Sequence, residues 1–270
     1  MNKPICLFDS GIGGLTVLKK LIDRFPNENY IYLADLARVP FGDKTKEEIK
    51  KIGSEILEWL LKFNPKLIIM ACNTSSAVFG SQILALSSKL QIPIYGMIES
   101  CAKEIANLNH SKITVWATKL VTKSNAYKNI IQKHNPEIKT EEIACPKLVP
   151  MIEDLTFNLP DKESIIVEYL DMTSKDSEAL VLGCTHYPLI KENLLRLTDL
   201  QIIDPTDSLL KDLENHLTGG KDISWNVPTT NKSQVSLYTT AQVEKLERFA
   251  KLYLCRDIKV TMVSLNKITV

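Results

Sequence analysis

This chain of 270 residues has no apolar run long enough to cross a bilayer, which takes about 20 consecutive apolar residues. The apolar stretch after Lys3 is broken at Asp9, so no secretory leader is expected. Charge of one sign is lacking as well. Lys and Arg number 33 against 32 Asp and Glu, and lysines are mixed with acids along the predicted helices near 44–51 and 245–251. Without a basic face, nucleic acid and membrane are not expected as partners. There is no low-complexity tract, and none of the six cysteines (Cys6, Cys72, Cys101, Cys145, Cys184, Cys255) falls in a Cys-x-x-Cys pair. A chain of this length can build real cores and needs no disulfide staples, so free thiols in a reducing cytoplasm are expected.

What the sequence does have is alternation. Apolar runs of four to six residues alternate with longer amphipathic stretches, the pattern of βα units and a mostly parallel sheet. Strands are expected at 5–8, 30–33, 67–71, 94–97, 113–117, 142–144, 179–182, 201–203, 235–239 and 259–263. Helices are expected between them, for example at 15–24, 46–62, 100–107, 123–133 and 164–172. Thr45 with Glu48 fits a capping box, and Ser124 fits the start of the helix after Thr122. The segment 217–233, with a Gly-Gly pair and several polar residues, is expected to be a surface loop.

Two of the expected strands end alike. Residues 67–70 run into Ala71-Cys72-Asn73-Thr74, and residues 179–182 run into Gly183-Cys184-Thr185-His186. Each cysteine stands where a parallel strand gives way to a loop, the edge at which open α/β sheets place ligands. Each is followed by polar side chains, a poor choice for a packed interior. Such a pair suits two thiols working from opposite sides of one small molecule. The repeat also hints at a duplicated half, one copy in the first hundred residues and the other across roughly 99–207. Cys6, Cys101, Cys145 and Cys255 read instead as buried filler.

An ordinary thiol is only roughly 3% ionised at neutral pH, so a cysteine base needs a nearby proton acceptor. His186 is the candidate for Cys184. Two thiolates and an imidazole could also bind zinc, but no fourth ligand is suggested and no metal is expected. In Phe8-Asp9-Ser10-Gly11-Ile12-Gly13-Gly14 the glycines allow a tight turn into a helix whose free N–H groups suit an anion. The spacing lacks the third glycine of the dinucleotide fingerprint. Asp9 or Ser10 there is either a helix cap or a group placed to orient or deprotonate a neighbour. Pro40-Phe41-Gly42 is a turn that lets backbone approach a ligand, or an ordinary turn. Thr118 and Thr122 either bind a carboxylate or cap a helix. Glu153, after a stiff apolar stretch, reads in isolation as a solvated residue at a helix start.

Taken in order, these segments resemble the glutamate racemases of the cofactor-independent aspartate/glutamate racemase superfamily. The resemblance rests on Asp9-Ser10-Gly11 with Gly13-Gly14, Pro40 with Gly42 and Lys44, and Ala71-Cys72-Asn73-Thr74. It continues through Thr118 with Thr122, Leu148-Val149-Pro150 with Glu153, and Leu182-Gly183-Cys184-Thr185-His186-Tyr187-Pro188. It implies an α/β fold of two pseudo-symmetric domains with mostly parallel sheets and the active site in the cleft between them. Residues 1–98 and 208–270 would form the first domain and carry Cys72, and residues 99–207 the second, with Cys184.

The resemblance further implies interconversion of L- and D-glutamate by two-base proton exchange at Cα, with no cofactor, no metal and no Schiff-base lysine. Cys72 and Cys184 would be the bases, assisted by Asp9, His186 and Glu153. Asp9, Ser10, Phe41, Gly42, Asn73, Thr74, Thr118, Thr122, Thr185 and His186 would contact substrate. The family usually has tyrosine where this chain has Phe41. D-Glutamate for peptidoglycan would place the enzyme in a bacterial cytoplasm, and the resemblance admits a homodimer. An aspartate or hydantoin racemase would share both thiols, and a malonate decarboxylase only one. An amino-acid-binding or thiol-redox protein on the same sheet is the rival from outside catalysis by racemisation.

Overall fold

Short aliphatic runs make ten strands in the computed structural model, which describes residues 3–219 and 233–265. They are β1 (Ile5–Asp9), β2 (Tyr30–Ala34), β3 (Leu67–Met70), β4 (Ile94–Gly96), β5 (Lys112–Ala117), β6 (Lys139–Ala144), β7 (Ala179–Gly183), β8 (Gln201–Ile203), β9 (Val235–Thr239) and β10 (Val260–Met262). All ten stand where the apolar runs predict them. β6 begins earlier than expected, at Lys139, because it is an edge strand. Its half-exposed Lys-Thr-Glu-Glu start carries no apolar signal. β1, β2, β3 and β7 are buried along their whole length, which is why they read as unbroken apolar runs.

The strands form two sheets, and all the pairings are parallel. The first has the order β10-β9-β2-β1-β3-β4 and the second β6-β5-β7-β8. The run β2-β1-β3-β4 in the first sheet is thus repeated as β6-β5-β7-β8 in the second. Cys72 follows β3 and Cys184 follows β7, the equivalent strands of the two sets. Alternate residues face opposite sides. Ile5 and Leu7 enter one core while Cys6 and Phe8 enter another, and Trp116 and Leu182 face away from Val115 and Val181 across the second sheet.

Helices cover both faces of both sheets, as parallel pairing requires. The capping box at Thr45 is formed, with Glu48 answering through its side chain. The helix expected at 123–133 is two helices, Lys119–Ser124 and Ala126–His134. Ser124 therefore ends a helix rather than starting one. The break falls at Asn125, whose φ of 50° is left-handed, a conformation asparagine tolerates better than most side chains. Of the segment 217–233, the first two residues belong to the helix Pro205–Thr218, and residues 220–232 lie outside the described ones. All six cysteines are free, and Cys255 is exposed rather than buried. It caps the end of the helix Val243–Leu254 in a left-handed conformation, with φ of 51°.

The two sheets meet through the turn after β1. Gly13 lies so close to the turn after β7 that a Cβ there would collide with the His186 ring and the Thr185 hydroxyl. Thr16 Oγ1 donates to the Thr185 carbonyl at 2.9 Å across the same contact. Gly13→Ala is therefore expected to lower stability by about 1–3 kcal/mol, the usual cost of overpacking a tight interior. Urea unfolding measures it, and an unchanged midpoint would show that the second turn yields freely.

Candidate active site

The C-terminal ends of the strands converge on one cavity of about 390 Å³, within the range typical of small-molecule sites. β1 delivers Asp9, Ser10 and Gly11, and β2 leads to residues 39–43. β3 delivers Cys72, Asn73 and Thr74, and β5 leads to Thr118. β6 leads to Cys145, Val149, Pro150 and Glu153, and β7 to Cys184, Thr185 and His186. Both strand-end cysteines line this cavity, at 4% and 7% exposure, so each thiol is shielded from bulk water yet faces the same space. Cys145 reaches the wall too, although its Sγ donates to the Ile143 carbonyl at 3.5 Å.

The surroundings of the two thiols differ. Cys72 caps the helix Asn73–Phe79 in extended backbone, and its Sγ lies 3.8 Å from Ser10 Oγ. Burial, then the negative charge of Asp9, pushes the Cys72 thiol up to about 12. Asp9 is itself buried, and its carboxylate accepts the Ser10 and Gly14 N–H groups at 2.7 and 2.6 Å and the Thr185 hydroxyl at 3.4 Å. Burial raises its pKa, against the pull of His186 and of the Gly14 and Ser10 N–H groups.

Cys184 faces an imidazole instead. His186 Nδ1 is 3.8 Å from Cys184 Sγ, and Nε2 is 2.9 Å from Glu153 Oε1. Burial alone would make His186 less basic, but Cys184 and Glu153 outweigh it and raise the imidazole to about 10. Glu153 is the last residue of the helix Leu148–Glu153 and is partly buried. Its burial opposes ionisation, yet His186 and Lys245 hold it down at about 2. Lys245 Nζ lies 2.8 Å from Glu153 Oε2. A lysine, a carboxylate, an imidazole and a thiol therefore stand in line.

The polar wall between the thiols is equally ordered. Asn73 Oδ1 accepts the Tyr127 hydroxyl at 2.6 Å. That fixes the amide so that the buried Asn73 Nδ2 has no protein partner, a donor left free in a residue that lines the cavity. Thr74 and Thr118, one from each sheet, share a hydrogen bond of 3.0 Å. Gly42 approaches Thr118 so closely that a Cβ would lie 3.1 Å from its Cβ. The Phe41 ring is buried in the apolar cluster with Leu120 and Cys72, so only backbone can make a polar contact there.

Of the residues singled out from sequence, Thr122 stands apart. It is not on the cavity wall, and its hydroxyl donates to the Lys119 carbonyl at 3.0 Å. Tyr127 and Lys245 escape sequence reasoning. The first looks like any core aromatic and the second like any lysine of an amphipathic helix. Among the described residues, no group of three or more His, Cys, Asp or Glu side chains is placed to hold a metal ion.

Comparison with known proteins bears on this geometry. The sequence pattern of the Asp/Glu/Hydantoin racemase family matches residues 13–213. A glutamate racemase of Prochlorococcus marinus is 38% identical, covering 97% of both chains. Glutamate racemase 3 of Caldanaerobacter subterraneus is 35% identical over 98% of this chain and 96% of its own. Among solved structures, the Francisella tularensis glutamate racemase in complex with D-glutamate superposes with a TM-score of 0.86 at 34% identity, covering 98% of each chain. Glutamate racemase isoform RacE1 from Bacillus anthracis gives 0.87 at 30% identity, over 97% of this chain and 98% of that one. With the family's pattern across most of its length and relatives matched end to end, this chain belongs to the Asp/Glu/Hydantoin racemase family and is a racemase, an enzyme of the isomerase class.

Proposed function

We propose that the chain interconverts L- and D-glutamate without a cofactor, by proton exchange at Cα between Cys72 and Cys184. The observation that carries this reading is that the two thiols, from equivalent strands of two sheets, line one amino-acid-sized cavity. Glutamate as substrate is supported by the glutamate racemases that match over nearly full length. On this reading residues 1–98 and 208–270 form a first α/β domain supplying Cys72, and residues 99–207 a second supplying Cys184.

In the direction from L to D, the Cys184 thiolate takes the Cα proton and the Cys72 thiol delivers another to the opposite face. The enzyme is left with Cys184 protonated and Cys72 as thiolate, and proton movement through Asp9 and His186 resets it. The resting state fits this order. Burial and the Asp9 charge keep Cys72 protonated, while His186, its basicity raised by Cys184 and Glu153, is an imidazolium 3.8 Å from the Cys184 Sγ and supplies the counter-charge for a thiolate there. In reverse, the two cysteines exchange roles. The enediolate-like charge that develops is met by fixed donors, the Asn73 amide, the Thr74 hydroxyl and backbone N–H groups, that of Thr185 among them. Ser10, Phe41, Gly42 and Thr118 complete the substrate contacts, with Phe41 contributing through its backbone, and Glu153 orients His186. Thr122 fits better as a support for the Thr118 turn.

The product would feed peptidoglycan synthesis in a bacterial cytoplasm. No helix among the described residues is long and apolar enough to cross a membrane. A second copy of the chain, in a homodimer, is the protein partner this reading admits.

In heavy water, product formed from either enantiomer is expected to carry deuterium at Cα. Cys72→Ala and Cys184→Ala are each expected to lower racemisation by roughly 10²–10⁴-fold, the range for a lost acid–base group. Racemisation at wild-type rate in either variant, or faster turnover of aspartate than of glutamate by the wild type, would refute the proposal. Tyr127→Phe frees the Asn73 amide and is expected to cost about 0.5–1.5 kcal/mol of transition-state stabilisation. Steady-state kinetics should show kcat/KM lower by roughly two- to twelvefold. In an Asn73→Ala background the same change is expected to have no further effect, and an additive loss would detach Tyr127 from Asn73.

A further inference from the structure

The helix Val243–Leu254 packs Leu246, Phe249, Ala250 and Leu254 into the core on the first sheet. Its first turn nevertheless reaches residue Glu153, which belongs to the elements of the second sheet and lies 92 positions earlier in the chain. We propose that Lys245 is a positioning residue for the racemisation, pinning the Glu153 carboxylate so that it holds His186 in register with Cys184. This inference rests on the reaction proposed above.

The geometry divides the work of one carboxylate. Oε1 of Glu153 takes the His186 Nε2 contact and Oε2 takes Lys245 Nζ, at 2.9 and 2.8 Å. A carboxylate held at both oxygens cannot rotate, and it fixes the plane of the ring beyond it. Lys245 is absent from the cavity wall, so it acts through Glu153 and touches no substrate. Helix stability does not account for its position. A cation in the first turn opposes the helix dipole, which favours acids such as the neighbouring Glu244 there.

The charges around the site point the same way. His186 is faced by Cys184, Glu153 and Asp9, and Glu153 by His186 and Lys245, with the Tyr32 phenol further off. Two carboxylates, Asp9 and Glu153, are thus balanced by one imidazolium and one ammonium. Without Lys245 the balance tips toward negative charge beside two thiols. Glu153 would then protonate at higher pH and lose its hold on the ring.

The test is Lys245→Met, assayed from both enantiomers across the pH range, beside Lys245→Arg and the exposed Lys251→Met on the same helix. In the methionine variant kcat/KM is expected to fall roughly 10- to 100-fold, as for a misplaced catalytic group, and the deficit should grow as pH is lowered. The loss should be equal from L- and D-glutamate, because the enantiomers interconvert with an equilibrium constant of unity. Arginine should restore activity to within about twofold of wild type, and Lys251→Met should match wild type. With the wild-type enzyme active, no loss in Lys245→Met, a loss that is the same at every pH, or failure of arginine to rescue would overturn the inference alone. A wild-type enzyme that leaves both enantiomers unchanged would bring down the reaction and this inference with it.

Discussion

The buried carboxylate of Asp9 fixes the turn on which the rest of the site is built. It gathers the N–H groups of Ser10 and Gly14 and the hydroxyl of Thr185, so one side chain shapes the turn after β1 and touches the turn after β7. A buried charge is costly unless it is hydrogen-bonded on every side, and here the bonds that satisfy it come from both sheets. Gly13, lacking a side chain, then lets the Thr185–His186 turn settle directly on the first sheet's turn. The shared cavity exists because these two turns can come that close.

The two sheets repeat one strand order, but their thiols are not equivalent. Cys72 has a carboxylate for a neighbour and is held protonated, whereas Cys184 has an imidazole whose basicity is raised by Glu153 and by Cys184 itself. Duplicated backbone thus carries opposite local charges at its two strand ends. For the proposed reaction that asymmetry is useful, since one thiol must give a proton while the other takes one. The charge on the Cys184 side is anchored by Lys245, from a helix that belongs to the core of the first sheet. In the proposed reaction, proton handling at one cysteine would therefore depend on packing around the other.

Much of this was legible before folding was considered. Buried parallel strands are short apolar runs, so nine of them surface in the sequence nearly to the residue, while the edge strand β6 hides half its length in polar residues. The matched strand ends at Cys72 and Cys184 stood out because strand length and the strand-to-loop transition are local properties. The break at Asn125 was not legible, since amphipathic spacing continues across it and only the left-handed backbone divides the helices. Thr122 fitted a site by motif, but the helical turn points its hydroxyl at the Lys119 carbonyl.

The sequence by itself determined the parallel α/β architecture, the duplicated strand ends and the identity of the paired thiols with their polar followers. These follow from periodicity and composition within windows of about ten residues. Only the tertiary structure decided what stands beside each thiol. The Tyr127 hydroxyl on Asn73, the approach of His186 to Gly13 and the Lys245–Glu153 contact join residues 54, 173 and 92 positions apart. No local pattern encodes such contacts, because they arise only when two separately patterned sheets pack with their strand ends turned toward one another.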